Sequence, residues 1–260
     1  MNLTKKLPIL FLFIAALVSC KKDKKEDVAP EQPAASTTGT FMLHLHTYID
    51  VNEVDAYNIS YPNAAGRDMS LSMAQLYLSD IELVKLDGSS YTISGKKLLK
   101  VFETETYVVA TVPAGNYKSI RFKVGLDSTT NQLNPGASPD SVILNRPEMW
   151  LNSTAQPDGY VFMNVQGTID TTSDLSGTMR PFAYRIGTNA NYKQVNMPDL
   201  SFTVLPDEAA YGHILIDYSK LFNGIALNQS SNLSVTTAAA NSSSVATTIV
   251  NNIPSMFIYE

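Results

Sequence analysis

The chain has 260 residues, with 19 Lys and Arg against 24 Asp and Glu and a net charge of −5. It carries one cysteine, three histidines and one tryptophan, which excludes an intrachain disulfide and a CxxC-type zinc or iron–sulfur site. Hydrophobic residues make up 44% and charged residues 17%; this is too apolar for a disordered chain and enough for a real core, while the acidic balance argues against a nucleic-acid partner.

Lys5 and Lys6 precede an apolar run from Pro8 to Val18, far short of the ~20 residues that span a bilayer as a helix. This is the layout of a signal-peptide core. It ends in Leu17-Val18-Ser19-Cys20, which resembles the bacterial lipobox, where the cysteine is lipidated and becomes the first mature residue. Residues 1–19 are therefore expected to be removed. Cys20 is expected to hold the protein on a membrane of the cell envelope, at the periplasmic face of the outer membrane or at the cell surface. The lipid takes the one thiol, so a metal site has to use His, Met, carboxylate or backbone donors. Residues 20–40, a mixed-sign charged run followed by a Pro/Ala/Ser/Thr stretch, read as a flexible tether. Lipoproteins of the Bacteroidetes type often carry a charged segment at this place.

From residue 41 to 260 the chain reads as one β domain. Phe41, Leu43, Leu45 and Ile49 share one parity, and Met42, His44, His46 and Tyr48 the other, the period-two pattern of a half-buried strand. Leu76 and Leu78 change parity to Ile81 and Leu83, which predicts a bulge near Ser79-Asp80. Asp87-Gly88 marks a turn. Tyr107–Val112 and Ile120–Val124 are strands on either side of Pro113-Ala114-Gly115-Asn116. Residues 126–147 read as a long loop, of the kind that is often functional. Further strands are expected at 159–169, 181–186, 199–205 and 213–218. Near the end Val245, Ile249 and Ile253 share a helical face, with Ser242 or Ser243 as N-cap and Pro254 as the stop. Many short strands and one short C-terminal helix predict an all-β fold, an antiparallel β-sandwich or partly closed barrel.

Nucleophile and phosphate motifs are absent: no GxSxG, P-loop, GxGxxG, HExxH or EF-hand loop occurs. Asp80 with Glu82, or Glu103 with Glu105, can pair on a strand face, but solvated faces account for them. A non-catalytic protein is expected. His44 and His46 are two apart on a strand, so both leave the same face, roughly 6.5–7 Å apart. Two imidazoles at that spacing can converge on one metal. Met42 shares their face and offers a soft donor that favours copper. His213 begins another expected strand and joins the pair if that strand lies alongside.

Five segments taken in order carry a resemblance: FMLHLH (41–46), YPNAAGRDMSLSMAQLYLSDIELVKLDGSSY (61–91), VPAGNYKSIRFKVGLD (112–127), PEMWLNSTAQPDGYVFMNVQG (147–167) and IVNNIPSMF (249–257). As an ordered set they resemble the MbnP-like family of periplasmic and surface copper-binding proteins, named for its methanobactin-associated members. The resemblance implies a β-sandwich-like lipoprotein that binds copper. It places the family's early-strand histidine at His46 and its Met/Trp-rich segment at Met149-Trp150, near the metal. It also implies a haem peroxidase partner that oxidises a tryptophan at the copper site, for which Trp150 is the one candidate, or a metal-uptake partner. Two departures stand out. Leu151-Asn152-Ser153 follow Trp150 where relatives often have a second tryptophan, and Arg185 stands in FAYRIG where many have a histidine.

Two readings of different class follow. One is a lipid-anchored copper-binding protein using His46 and His44 with His213. The other is a surface binding or assembly lipoprotein of the same fold, its metal site lost, which binds a glycan or a protein. Separation decides between them: histidines more than about 10 Å apart cannot share an ion whose bonds to nitrogen are about 2 Å.

Overall fold

The computed structural model describes residues 36–138, 140–151 and 159–260. β1 (Thr38–Ile49) turns into β2 (Asn52–Glu53), and β3 (Ser60–Pro62) leads into the long β4 (Asp68–Lys85). β5 (Ser90–Thr92), β6 (Leu98–Lys100), β7 (Thr106–Pro113) and β8 (Gly115–Val124) follow. After the one-turn helix α1 (Ser141–Leu144) come β9 (Val161–Asp170), β10 (Met179–Gly187), β11 (Lys193–Asn196), β12 (Phe202–Val204), β13 (Ala209–Asp217) and β14 (Ser234–Val235). Helix α2 (Ser244–Met256) and β15 (Phe257–Tyr259) close the chain. No described helix is long and apolar enough to cross a membrane.

The strands form two mixed sheets that curl around one core. In the smaller, β1 lies between β13 and the pair β2 and β7, and β15 borders β13. In the larger, the order is β11-β8-β4-β9-β10-β14, with β12 on β8 and with β3, β5 and β6 on β4. The all-β expectation holds. Among the described strands two pairings are parallel, β1 with β13 and β10 with β14; strands this far apart in sequence have no hairpin to force an antiparallel approach.

The predicted alternation sets the layers. Phe41, Leu43 and Leu45 from β1 are buried against Leu76, Leu78, Ile81 and Leu83 from β4, and Ile249 and Ile253 of α2 cover the same core. Each such side chain contributes about 1.5–3 kcal/mol by leaving water. The parity change in β4 is a bulge as expected: its register with β8 shifts between Ser79 and Glu82, and Asp80 has φ 47°. Gly167 is required where β9 crosses β4, because a Cβ there would lie 1.9 Å from the Ser70 carbonyl oxygen.

Two expectations need correction. Residues 126–147 are not a plain loop. Leu126 and Leu144 pack with Tyr77, Leu99, Met149, Tyr160 and Phe162 in a second apolar cluster. Pro254 does not stop the helix but lies inside α2, whose N-cap is Ser243, accepting from the Ala246 N–H. The chain then enters β15, too short to show a periodic signal.

The end of the β1–β13 pair is tied by Asp217, which is buried and whose Oδ1 accepts from the backbone N–H of Asp50 and of Ser219 at 2.9 Å each. Asp217→Ala leaves those two donors unpaired and is expected to cost about 2–3 kcal/mol, read as a lower urea midpoint with an unchanged slope.

Candidate metal centre

β1 and β13 run parallel with His44 directly opposite His213 and His46 opposite Leu215. In-register neighbours project from the same face, so His213 joins His44 and His46 on the outer side of the smaller sheet. The ring centroids of His44 lie 4.3 Å from those of His46 and 5.1 Å from those of His213. One ring nitrogen from each of the three lies within 4.8 Å of the others. Ligands on one tetrahedral ion lie about 3.3 Å apart, a difference that side-chain rotation covers.

Three carboxylates surround the imidazoles. Glu53 of β2 stands opposite Tyr48 and places Oε1 2.6 Å from His46 Nδ1. Glu105, just before β7, places Oε2 3.3 Å from His44 Nε2 and Oε1 3.9 Å from His46 Nδ1. Glu260, whose N–H donates to the His213 carbonyl at 3.3 Å, places Oε2 3.2 Å from His213 Nδ1 and 3.8 Å from His46 Nε2. A carboxylate only accepts, so the facing ring nitrogen carries the hydrogen and the opposite one keeps its lone pair. In the neutral rings this leaves His44 Nδ1 and His213 Nε2 as donors, while His46 makes its short contact to Glu53 through Nδ1 and faces Glu260 through Nε2 at the longer 3.8 Å. A carboxylate that fixes the tautomer and orientation of an imidazole is the usual outer support of a metal-binding histidine. The donor set therefore fits a metal that accepts imidazole: copper, zinc, iron or nickel. Met42 lies one row away, between Val108 and Tyr211.

None of the three carboxylates was singled out from sequence. Glu105 belonged to a pair that reads as a solvated face. Its position depends on the turn before it. The Lys100 amine donates to the carbonyls of Val101 at 2.7 Å and Thr104 at 3.1 Å. The Tyr107 hydroxyl donates to the Thr104 carbonyl at 2.8 Å. The Glu105 carbonyl accepts from the Leu45 N–H at 2.9 Å.

Met149 and Trp150 are not brought to the histidines. β4 turns Leu76 and Leu78 into the main core and Tyr77 to its other side, where Met149 is fully buried and Trp150 packs. β1 turns Leu43 and Leu45 into the same core and the histidines away from it. The core thus separates the two places. Trp150 donates its indole N–H to the Leu144 carbonyl at 2.9 Å, and the Arg185 guanidinium donates to the Trp150 carbonyl. Arg185 thus lies beside Trp150, where it serves as a clamp on the backbone. Cys20 lies outside the described residues.

A family profile described as MbnP matches residues 38–243. The chain belongs to the MbnP family. Among solved structures, MbnP from Methylosinus trichosporium is similar with a TM-score of 0.51 and 19% identity, over 85% of this chain and 98% of that one. That likeness is one of fold. No curated protein matches. In this MbnP family member the matched segment holds β1 and β13, and with them all three histidines.

Burial holds the Lys100 amine down at about 8, from an ordinary 10.5, against the opposing pull of Glu105 and Glu103. Between those two values the folded chain binds fewer protons than the unfolded one, so Lys100 makes stability rise as pH increases through that window. Lys100→Met is expected to remove a rise on the order of 1 kcal/mol in urea unfolding between about pH 7.5 and 9.5.

Proposed function

We propose that this protein is a non-catalytic, lipid-anchored copper-binding protein of the cell envelope. The observation that carries the metal reading is the convergence of His44, His46 and His213, each with one ring nitrogen against a carboxylate. The family resemblance, rather than the donor set, favours copper over zinc. The imidazoles hold the ion, Glu53, Glu105 and Glu260 orient them, and a bound copper supplies a redox-capable cation on the outer face of the sheet. The lipobox at Cys20 supports the anchor, and delivery to or from a metal-uptake partner suits an open site on a tethered domain. The alternative, a fold whose metal site has been lost, is disfavoured by ring spacings of 4.3 and 5.1 Å.

Trp150 has no place at this ion. Its proposed oxidation by a haem peroxidase belongs instead to the opposite face, where the Arg185 guanidinium offers no lone pair to a metal.

The full chain is expected to retain about one equivalent of copper after loading and desalting, and the double variant H44A/H46A to retain none. His213→Ala is expected to weaken binding by at least about tenfold, since one of three ligands is lost. A copper-loaded wild type that comes through desalting without metal sinks the proposal. Intact mass of the same sample reads any oxidation of Trp150.

A further inference from the structure

Beside the metal centre, where the two sheets part, lies a cavity of about 400 Å³ lined by Ile120, Leu200, Phe202, Tyr211, Tyr259 and Gly212, with Ser201 at its wall. Among the described residues β15 pairs with Ile214–Ile216, and the Tyr211–His213 stretch of β13 borders this cavity. Its remaining wall is His213 and Glu260, both members of the metal cluster.

The walls are apolar and held in place. Phe202 stacks on Phe41 at 5.7 Å and on Tyr117 at 5.5 Å, and Tyr211 leans on His213 at 5.9 Å between ring centroids. Leu200 and Tyr211 are large apolar side chains left 51% and 45% exposed at its edge. A preformed apolar cavity of this size with a few polar groups at one end is the usual form of a small-molecule site.

We propose that the cavity takes the flat apolar body of a small nitrogen heteroaromatic molecule whose ring nitrogen ligates the metal held by the histidines. This rests on the metal reading above. His213 and Glu260 belong both to the cavity wall and to the metal cluster, so a molecule seated in the cavity lies next to the site. The charge of Glu53, Glu105 and Glu260 selects against an anionic head and for a neutral nitrogen donor. The apolar body then adds affinity that the head alone lacks, as area removed from water.

The test uses the copper(II)-loaded full chain titrated with 4-phenylimidazole and, separately, with imidazole, followed by copper EPR. The phenyl compound is expected to bind about tenfold more tightly, the equivalent of burying part of one ring. S201F, which adds bulk at the cavity wall, and L200D, which makes its edge polar, are compared with wild type at equal copper loading. Both are expected to bring the ratio close to one. Equal affinities in the wild type, or a preference that survives both variants, overturns the pocket while leaving the copper reading standing. A chain that holds no copper overturns both.

Discussion

The parallel pairing of β1 with β13 is the constraint on which the site depends. β1 alone brings two histidines to one face. Register against β13 adds the third, directly across from His44. The same pair carries the supports: β2 and β7 flank β1 and bring Glu53 and Glu105, while β15 flanks β13 and brings Glu260. A slip of one residue turns His213 into the core and Gly212 or Ile214 outward. Packing opposes that slip, since a Cβ at position 212 would lie 2.7 Å from Ile120 Cδ1. Asp217 opposes it at the far end by binding the chain on both sides.

What the sequence made legible was local. The alternation along residues 41–49 assigned the core face and the histidine face correctly, and the parity change at Ser79-Asp80 located the bulge. Both signals are periodic and come from one strand at a time. Pairing across 169 residues leaves no such signal, so the neighbourhood of His213 was only a condition. The carboxylates were missed because Glu53 sits on a two-residue strand, Glu105 in a turn and Glu260 after a three-residue strand, places where no period exists. Pro254 was read as a helix stop on propensity, and tertiary packing of Ile253 and Met256 overrode it.

The two outer faces of the fold carry different chemistry. On the larger sheet, Asn164 donates to the Glu148 carbonyl at 2.9 Å and Arg185 to those of Glu148 and Trp150, so polar side chains there are consumed in pinning a covering segment. On the smaller sheet the polar side chains pair with one another, the three histidines with Glu53, Glu105 and Glu260. The family supplies the scaffold, and in this chain the concentration of nitrogen donors lies on the face that no segment among the described residues covers.

The centre joins β1 to β13, strands far apart in the sequence. β13 lies 169 residues further along the chain than its neighbour β1, and the Glu260 support later still. The contacts that complete the site are therefore among the most distant in sequence, and such contacts form slowly because loop closure precedes any gain. An emerging or truncated chain lacks the third imidazole altogether. The three-imidazole site proposed above is therefore complete only after β13 has paired with β1, and an ion that needs all three rings cannot guide the earlier stages of folding.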